Sequence, residues 1–84
     1  MNVCLVDDQR AVVDSLKNGI RWEKLPVDKV YTACSAKEAK LILKNFPVDV
    51  LLSDIEMPEE DGISLCLWAK KEIADIECIF LTSH

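Results

Sequence analysis

The chain has 84 residues, half of them hydrophobic and 30% charged, with two glycines and three prolines. This composition excludes disordered, collagen-like and low-complexity classes and calls for one small packed domain, which at this length buries only about 60–65% of the surface its unfolded chain exposes. The formal net charge is −5 and no run of Lys and Arg is present to neutralise several backbone phosphates, so nucleic-acid binding by this segment itself is not expected.

Taken in chain order, Asn2 to Val6 carries Val3, Leu5 and Val6, enough for a buried strand and too short for a helix. It ends at Asp7 and Asp8, which leaves neither a signal-peptide core nor a membrane span there, and the expected location is the cytoplasm. From Arg10 to Ile20, Val12, Val13, Leu16 and Ile20 fall on one helical face, with Gly19 as a terminator. Arg21 to Pro26 is a connection anchored by Trp22 and Leu25, and Lys29 to Ala33 is rich in β-formers, giving a second strand. Ser35 followed by Glu38 is a capping box, in which each side chain satisfies the other's free backbone N–H. Ala36, Ala39, Leu43 and Phe46 continue the helix until Pro47 stops it.

Val48 to Ser53 is a second apolar run and it too stops at a carboxylate, Asp54. An acidic loop, Glu56 to Gly62, follows, with Pro58 and Gly62 as breakers and Asp61 as a possible N-cap; Glu59, Glu60 and Asp61 read most simply as solvated. Ile63, Leu65, Trp68, Ala69 and Ile73 mark a third amphipathic helix, and Cys78 to Leu81 a fourth strand leading into Thr82, Ser83 and His84. Trp68 and Trp22 read as partly buried helix and connection residues rather than binding aromatics, and His84 as a solvated terminus. Cys4, Cys34, Cys66 and Cys78 form no C-x-x-C pair, which favours reduced core or near-surface thiols over a disulfide or metal role.

The alternation β-α-β-α-β-α-β predicts an α/β fold with a parallel sheet flanked by helices and right-handed crossovers. Ligands of such open sheets bind beyond the carboxyl ends of the strands, where Asp7, Asp8, Asp54 and Thr82 all fall. Any one of these aspartates alone reads equally as a helix cap or turn residue; the doublet after one strand, the single Asp after another and the hydroxyl after a third together point to a site. Carboxylates held this close repel unless a cation intervenes. Magnesium suits such an oxygen set, with carboxylates and phosphate as ligands. Asp54 is then the candidate nucleophile for an acyl phosphate, Thr82 a hydroxyl that responds to its arrival, and Glu56 a metal ligand through its backbone carbonyl.

Leu5-Val6-Asp7-Asp8, Leu52-Ser53-Asp54-Ile55-Glu56-Met57-Pro58, Asp61-Gly62 and Leu81-Thr82-Ser83 resemble the receiver domains of two-component response regulators, over the whole chain. The resemblance implies a flavodoxin-like fold with strand order 2-1-3-4 and phosphoryl transfer from a sensor histidine kinase to Asp54. It implies Mg2+ held by Asp8 and Asp54 directly and by Asp7 through water, with Thr82 as the switch hydroxyl and Glu56 tuning phosphate lifetime. It also implies a covalently linked output domain, transcriptional in role. The segment Ile20-Arg21-Trp22-Glu23-Lys24-Leu25 is similar to the subgroup with arabinose-regulator-type helix-turn-helix outputs.

Receivers continue with a fourth helix, a fifth strand carrying a Lys before Pro, and a fifth helix, so residues 1–84 correspond to an N-terminal portion of the domain. The absent Lys puts phosphorylation by these residues alone in question. Strand four becomes a sheet edge with unpaired backbone groups, which suggests a fragment of a longer protein or a homodimer that pairs strand four with a second copy. Two other readings stand beside the receiver: a magnesium-dependent aspartyl-phosphate phosphotransferase, which would want an Asp-x-Asp pair where Asp54-Ile55-Glu56 stands, and an interaction module of this fold that is never phosphorylated. The receiver reading is of a phosphoacceptor with at most self-dephosphorylation, not of an enzyme.

Overall fold

The computed structural model describes residues 1–81. Four five-residue strands, β1 (Asn2–Val6), β2 (Lys29–Ala33), β3 (Val50–Asp54) and β4 (Glu77–Leu81), alternate with helices α1 (Arg10–Gly19), α2 (Ala36–Asn45) and α3 (Gly62–Glu72). A single 3-10 turn, Trp22–Lys24, lies between α1 and β2. All strand pairs are parallel and the order is β2-β1-β3-β4, as the sequence predicts.

Because side chains alternate across a strand, register decides which residues share a face. Tyr31, Cys4, Leu51 and Cys78 are paired in one row across the sheet and face α2 and α3. There Cys4, Val6, Ala33 and Leu51 meet Ala36, Ala39 and Leu43 of α2 and Leu65 and Ala69 of α3 in one core. Val3 and Leu5, also buried, point to the other face, against which α1 packs and where Val13 is fully enclosed. β1 is therefore buried on both faces, while β3 is buried on the face of α2 and α3 and half-buried at Val50 and Leu52 on the other, which explains why both read as nearly continuous apolar runs. β4 is outermost: Ile79 is 51% exposed and Phe80 38%, as expected of an edge.

Several local expectations are met and some are corrected. Ser35 caps α2, its hydroxyl accepting the Glu38 N–H at 3.1 Å, while the Glu38 carboxylate reaches one residue further back than a capping box requires, to the Cys34 N–H at 3.4 Å. Asp61 caps α3 by accepting the Ser64 N–H at 2.8 Å. β3 starts at Val50 rather than Val48 because Asp49 is tied to the start of β1. The Asp49 carboxylate accepts the Asn2 N–H at 2.7 Å and its own N–H donates to the Asn2 carbonyl at 2.9 Å. Leu25 does not anchor the α1–β2 connection; it is 49% exposed, and the connection is held by Trp22, whose indole N–H donates to the Lys17 carbonyl at 3.0 Å. Phe46 likewise leaves the core and stacks on Tyr31 with ring centroids 5.2 Å apart.

Candidate functional site

β1 and β3 are adjacent, and Val6 is paired with Ser53, so the residue that follows Val6 and the residue that follows Ser53 emerge side by side at the carboxyl end of the sheet. Asp7 and Asp54 are these residues. One carboxylate oxygen from each of Asp7, Asp8 and Asp54 lies within 4.8 Å of the others. Asp7 and Asp54 are buried, Asp8 is exposed, and the cluster therefore has a closed floor and an open side.

Asp7 is fixed at both its backbone and its side chain. The Asp7 N–H extends the ladder to the Ala33 carbonyl of β2 at 3.2 Å, and its carboxylate accepts the Gln9 N–H at 2.9 Å, an Asx turn that leads into α1. Burial raises the Asp7 carboxyl above the usual carboxylate range; the Gln9 hydrogen bond opposes this, and the charges of Asp54 and Asp8 add to it. The electrostatics thus disfavour three bare carboxylates here. Two oxygens of one magnesium octahedron lie about 3–4 Å apart, from Mg–O distances of 2.0–2.1 Å. Oxygens already within 4.8 Å need to close by at most about 2 Å, within the reach of side-chain rotation, to share one ion, so the residues present fit magnesium.

Asp54 is supported from below by two residues that sequence reasoning does not assign to the site. The Ser53 hydroxyl, 1% exposed, donates to the Asp54 carbonyl at 2.9 Å. Gly62 opens α3 against the same carbonyl, where an added Cβ would sit 2.0 Å from the Asp54 oxygen. The Gly62 N–H donates to the Ile55 carbonyl at 2.7 Å. Gly62 is thus more than the loop breaker that its place in the sequence suggests; the absence of a side chain lets the helix seat directly under the acceptor.

Glu56 lies in the exposed β3–α3 loop, and its carboxylate is not among the three grouped aspartates. The loop is held to α2 by Lys40, whose ammonium is 2.7 Å from the Glu60 carboxylate. A shallow hollow of about 270 Å³ beside Asp8 is walled by Cys34, Ser35, Met57, Pro58 and Glu59. Thr82, the fourth residue expected at the site, lies outside the described residues, as does His84; Leu81, the residue before Thr82, is paired with Asp54.

Comparison with known proteins agrees with this geometry. The family model for the response regulator receiver domain matches residues 3–84. The chain is 39% identical over its full length to the transcriptional regulatory protein NatR of Bacillus subtilis, covering 36% of that protein. It is 30% identical to the transcriptional regulatory protein HptR of Staphylococcus aureus over 98% of the chain and 32% of the relative. Among solved structures, a two component transcriptional regulator AraC from Clostridium phytofermentans superposes with a TM-score of 0.93 at 33% identity, over 98% of this chain and 64% of that one. The chain therefore spans about a third of the length of the curated relatives it matches. With its sheet order and acidic cluster at the strand ends, the chain belongs to the response regulator receiver domain family.

Proposed function

We propose that this chain is the phosphoacceptor portion of a response regulator, taking a phosphoryl group on Asp54 from the phosphohistidine of a sensor kinase. The observation that carries the proposal is the convergence of the Asp7, Asp8 and Asp54 carboxylates within 4.8 Å at the end of β1 and β3. In the transfer, a carboxylate oxygen of Asp54 bonds to phosphorus as the phosphorus–nitrogen bond breaks, and the imidazole keeps the electron pair. Asp7, Asp8 and Asp54, with Glu56 through its backbone carbonyl, would hold Mg2+. When bound, the ion neutralises the incoming phosphoryl oxygens. Ser53 and Gly62 keep the Asp54 backbone fixed so that only its side chain responds, and Thr82, just beyond β4, is the hydroxyl that reads the phosphorylated state.

The aspartyl-phosphate phosphotransferase reading is disfavoured by Glu56, which stands where such enzymes carry their second acid and whose carboxylate lies outside the cluster. The likeness to the Clostridium two component transcriptional regulator AraC supports an arabinose-regulator-type transcriptional output in the longer protein, and a cytoplasmic setting with it. The 64% coverage of that chain supports reading residues 1–84 as the N-terminal portion of a receiver. The exposed Ile79 and Phe80 of β4 support association of that edge with a second copy; a strictly monomeric species in sedimentation would count against it.

Magnesium titration by calorimetry tests the metal assignment. Asp8→Ala and Asp54→Ala abolish the binding heat, whereas Glu56→Ala, which keeps the carbonyl, retains it. Unchanged binding in Asp8→Ala would refute the proposed ligand set.

A further inference from the structure

The chain as a whole is acidic, at a net −5, yet one face of α2 is basic. Lys37, Lys40 and Lys44 stand at i, i+3 and i+7, the spacing that keeps residues on one side of a helix. With Leu41 and Glu60 they line a hollow of about 320 Å³. Leu41 is 56% exposed, so an apolar surface lies among the ammonium groups.

Two of these lysines are held in place by α3. The ammonium of Lys40 stands 5.4 Å from the centre of the Trp68 ring and that of Lys44 5.8 Å, both within cation–π reach. Lys40 is also paired with the Glu60 carboxylate at 2.7 Å. Lys37 and Lys44 have no carboxylate partner among the described residues. Two unpaired positive charges thus flank an exposed leucine, and side chains already ordered lose less freedom when a ligand arrives.

We propose that this face of α2 is a docking surface for an acidic segment of a partner protein, with an apolar side chain of that segment on Leu41 and carboxylates on either side of it at Lys37 and Lys44. Charge complementarity selects an anionic occupant, and size narrows it to a short one. Lys37 and Lys44 lie seven positions apart, about 10 Å along the helix. In an extended peptide alternate side chains share a side, and two acids four residues apart stand about 13 Å from one another, within reach of two lysine side chains. A nucleic-acid backbone runs on past three lysines into a chain of net −5, which repels it, and a second copy brings the same negative charge.

Glu60 sets the selectivity of the face. It occupies Lys40 and places its own negative charge in the hollow, so its removal strengthens the binding of an acidic peptide. None of these residues belongs to the Asp7, Asp8 and Asp54 cluster, and the proposal stands apart from the phosphoacceptor reading.

The test is an NMR titration of the isotope-labelled 84-residue chain with the end-blocked peptide Glu-Ser-Leu-Ser-Glu. The expected result is a set of shifts centred on the amides of α2 and the Trp68 indole N–H, absent with Gln-Ser-Leu-Ser-Gln. Lys37→Gln and Lys44→Gln, both at exposed positions, each weaken binding about two- to fivefold, and Glu60→Gln strengthens it by a similar factor; thermal melts establish that each variant is folded. The proposal is overturned if millimolar peptide leaves the α2 amides unmoved, if the neutral peptide binds as well, or if the lysine variants bind with unchanged affinity. It is also overturned if a short single-stranded oligonucleotide shifts the same amides at lower concentration than the peptide, which would assign the face to nucleic acid, or if those amides shift with protein concentration alone, which would assign it to a second copy.

Discussion

Gly62→Ala is the substitution whose effect the structure fixes most sharply. The added methyl would stand 2.0 Å from the Asp54 carbonyl oxygen, 2.9 Å from its carbon and 3.0 Å from the Ser53 hydroxyl. Ordinary contact begins near 3.4 Å, so α3 and the end of β3 must part by 3.4 − 2.0 = 1.4 Å. Neither side yields easily: Asp54 is the last residue of a central strand, and the Gly62 N–H is bonded to the Ile55 carbonyl at 2.7 Å. Overpacking of this kind costs about 1–3 kcal/mol and the strained hydrogen bond about another 1, for a loss of roughly 2–4 kcal/mol. Domains of this size hold only about 4–13 kcal/mol in all, so the variant sits near the threshold of folding. Urea denaturation followed by tryptophan fluorescence measures the loss. A natural control is Gly19→Ala, where nothing lies within 4 Å; there the better helix former raises stability by about 0.5–1 kcal/mol. If Gly62→Ala lost less than about 0.5 kcal/mol, the claim that α3 seats on the acceptor backbone would be wrong.

Glu59 adopts φ 69°, a left-handed conformation that disfavours a side chain, and Glu59→Gly is expected to gain about 0.5–1 kcal/mol in the same melt after the entropy of the freer unfolded chain is subtracted; a loss would show that the Glu59 side chain has a stabilising contact. Asp7 is held above the usual carboxylate range by burial first and by its neighbours' charges. Its ionisation therefore opposes folding at neutral pH, and the penalty fades as pH falls through the raised value and is gone below the unfolded one. Asp7→Asn accordingly raises the thermal midpoint at neutral pH without magnesium, and the gain shrinks towards about pH 3; a gain independent of pH would mean that charge is not its cause. Magnesium should raise the wild-type midpoint at neutral pH, more than it raises that of Asp54→Asn, as scanning calorimetry would record.

Much of this arrangement is legible in the sequence because it depends on local pattern. β1 and β3 are apolar runs that end in aspartate, and a parallel sheet in which they are neighbours brings those ends together. Ser35 and Asp61 announce the starts of α2 and α3 by their chemistry. What sequence does not disclose depends on distances between segments. Leu25 is apolar yet half-exposed because the Trp22 indole holds the connection instead. The start of β3 is set by Asp49 meeting Asn2, 47 residues away. Gly62 looks like any loop glycine until α3 is laid against Asp54. Thr82, which sequence assigns to the site, lies outside the described residues, so its role stands as a proposal.

The central claim is that Asp54 accepts a phosphoryl group with the help of its acidic neighbours. Intact-mass spectrometry of the chain after incubation with acetyl phosphate, with and without magnesium, for wild type and Asp54→Ala, tests it most directly. The account predicts the gain of one phosphoryl group, dependent on magnesium, labile to base and absent in Asp54→Ala. A folded wild-type chain that binds magnesium and takes up no phosphoryl group, or an adduct that persists in Asp54→Ala, would contradict it.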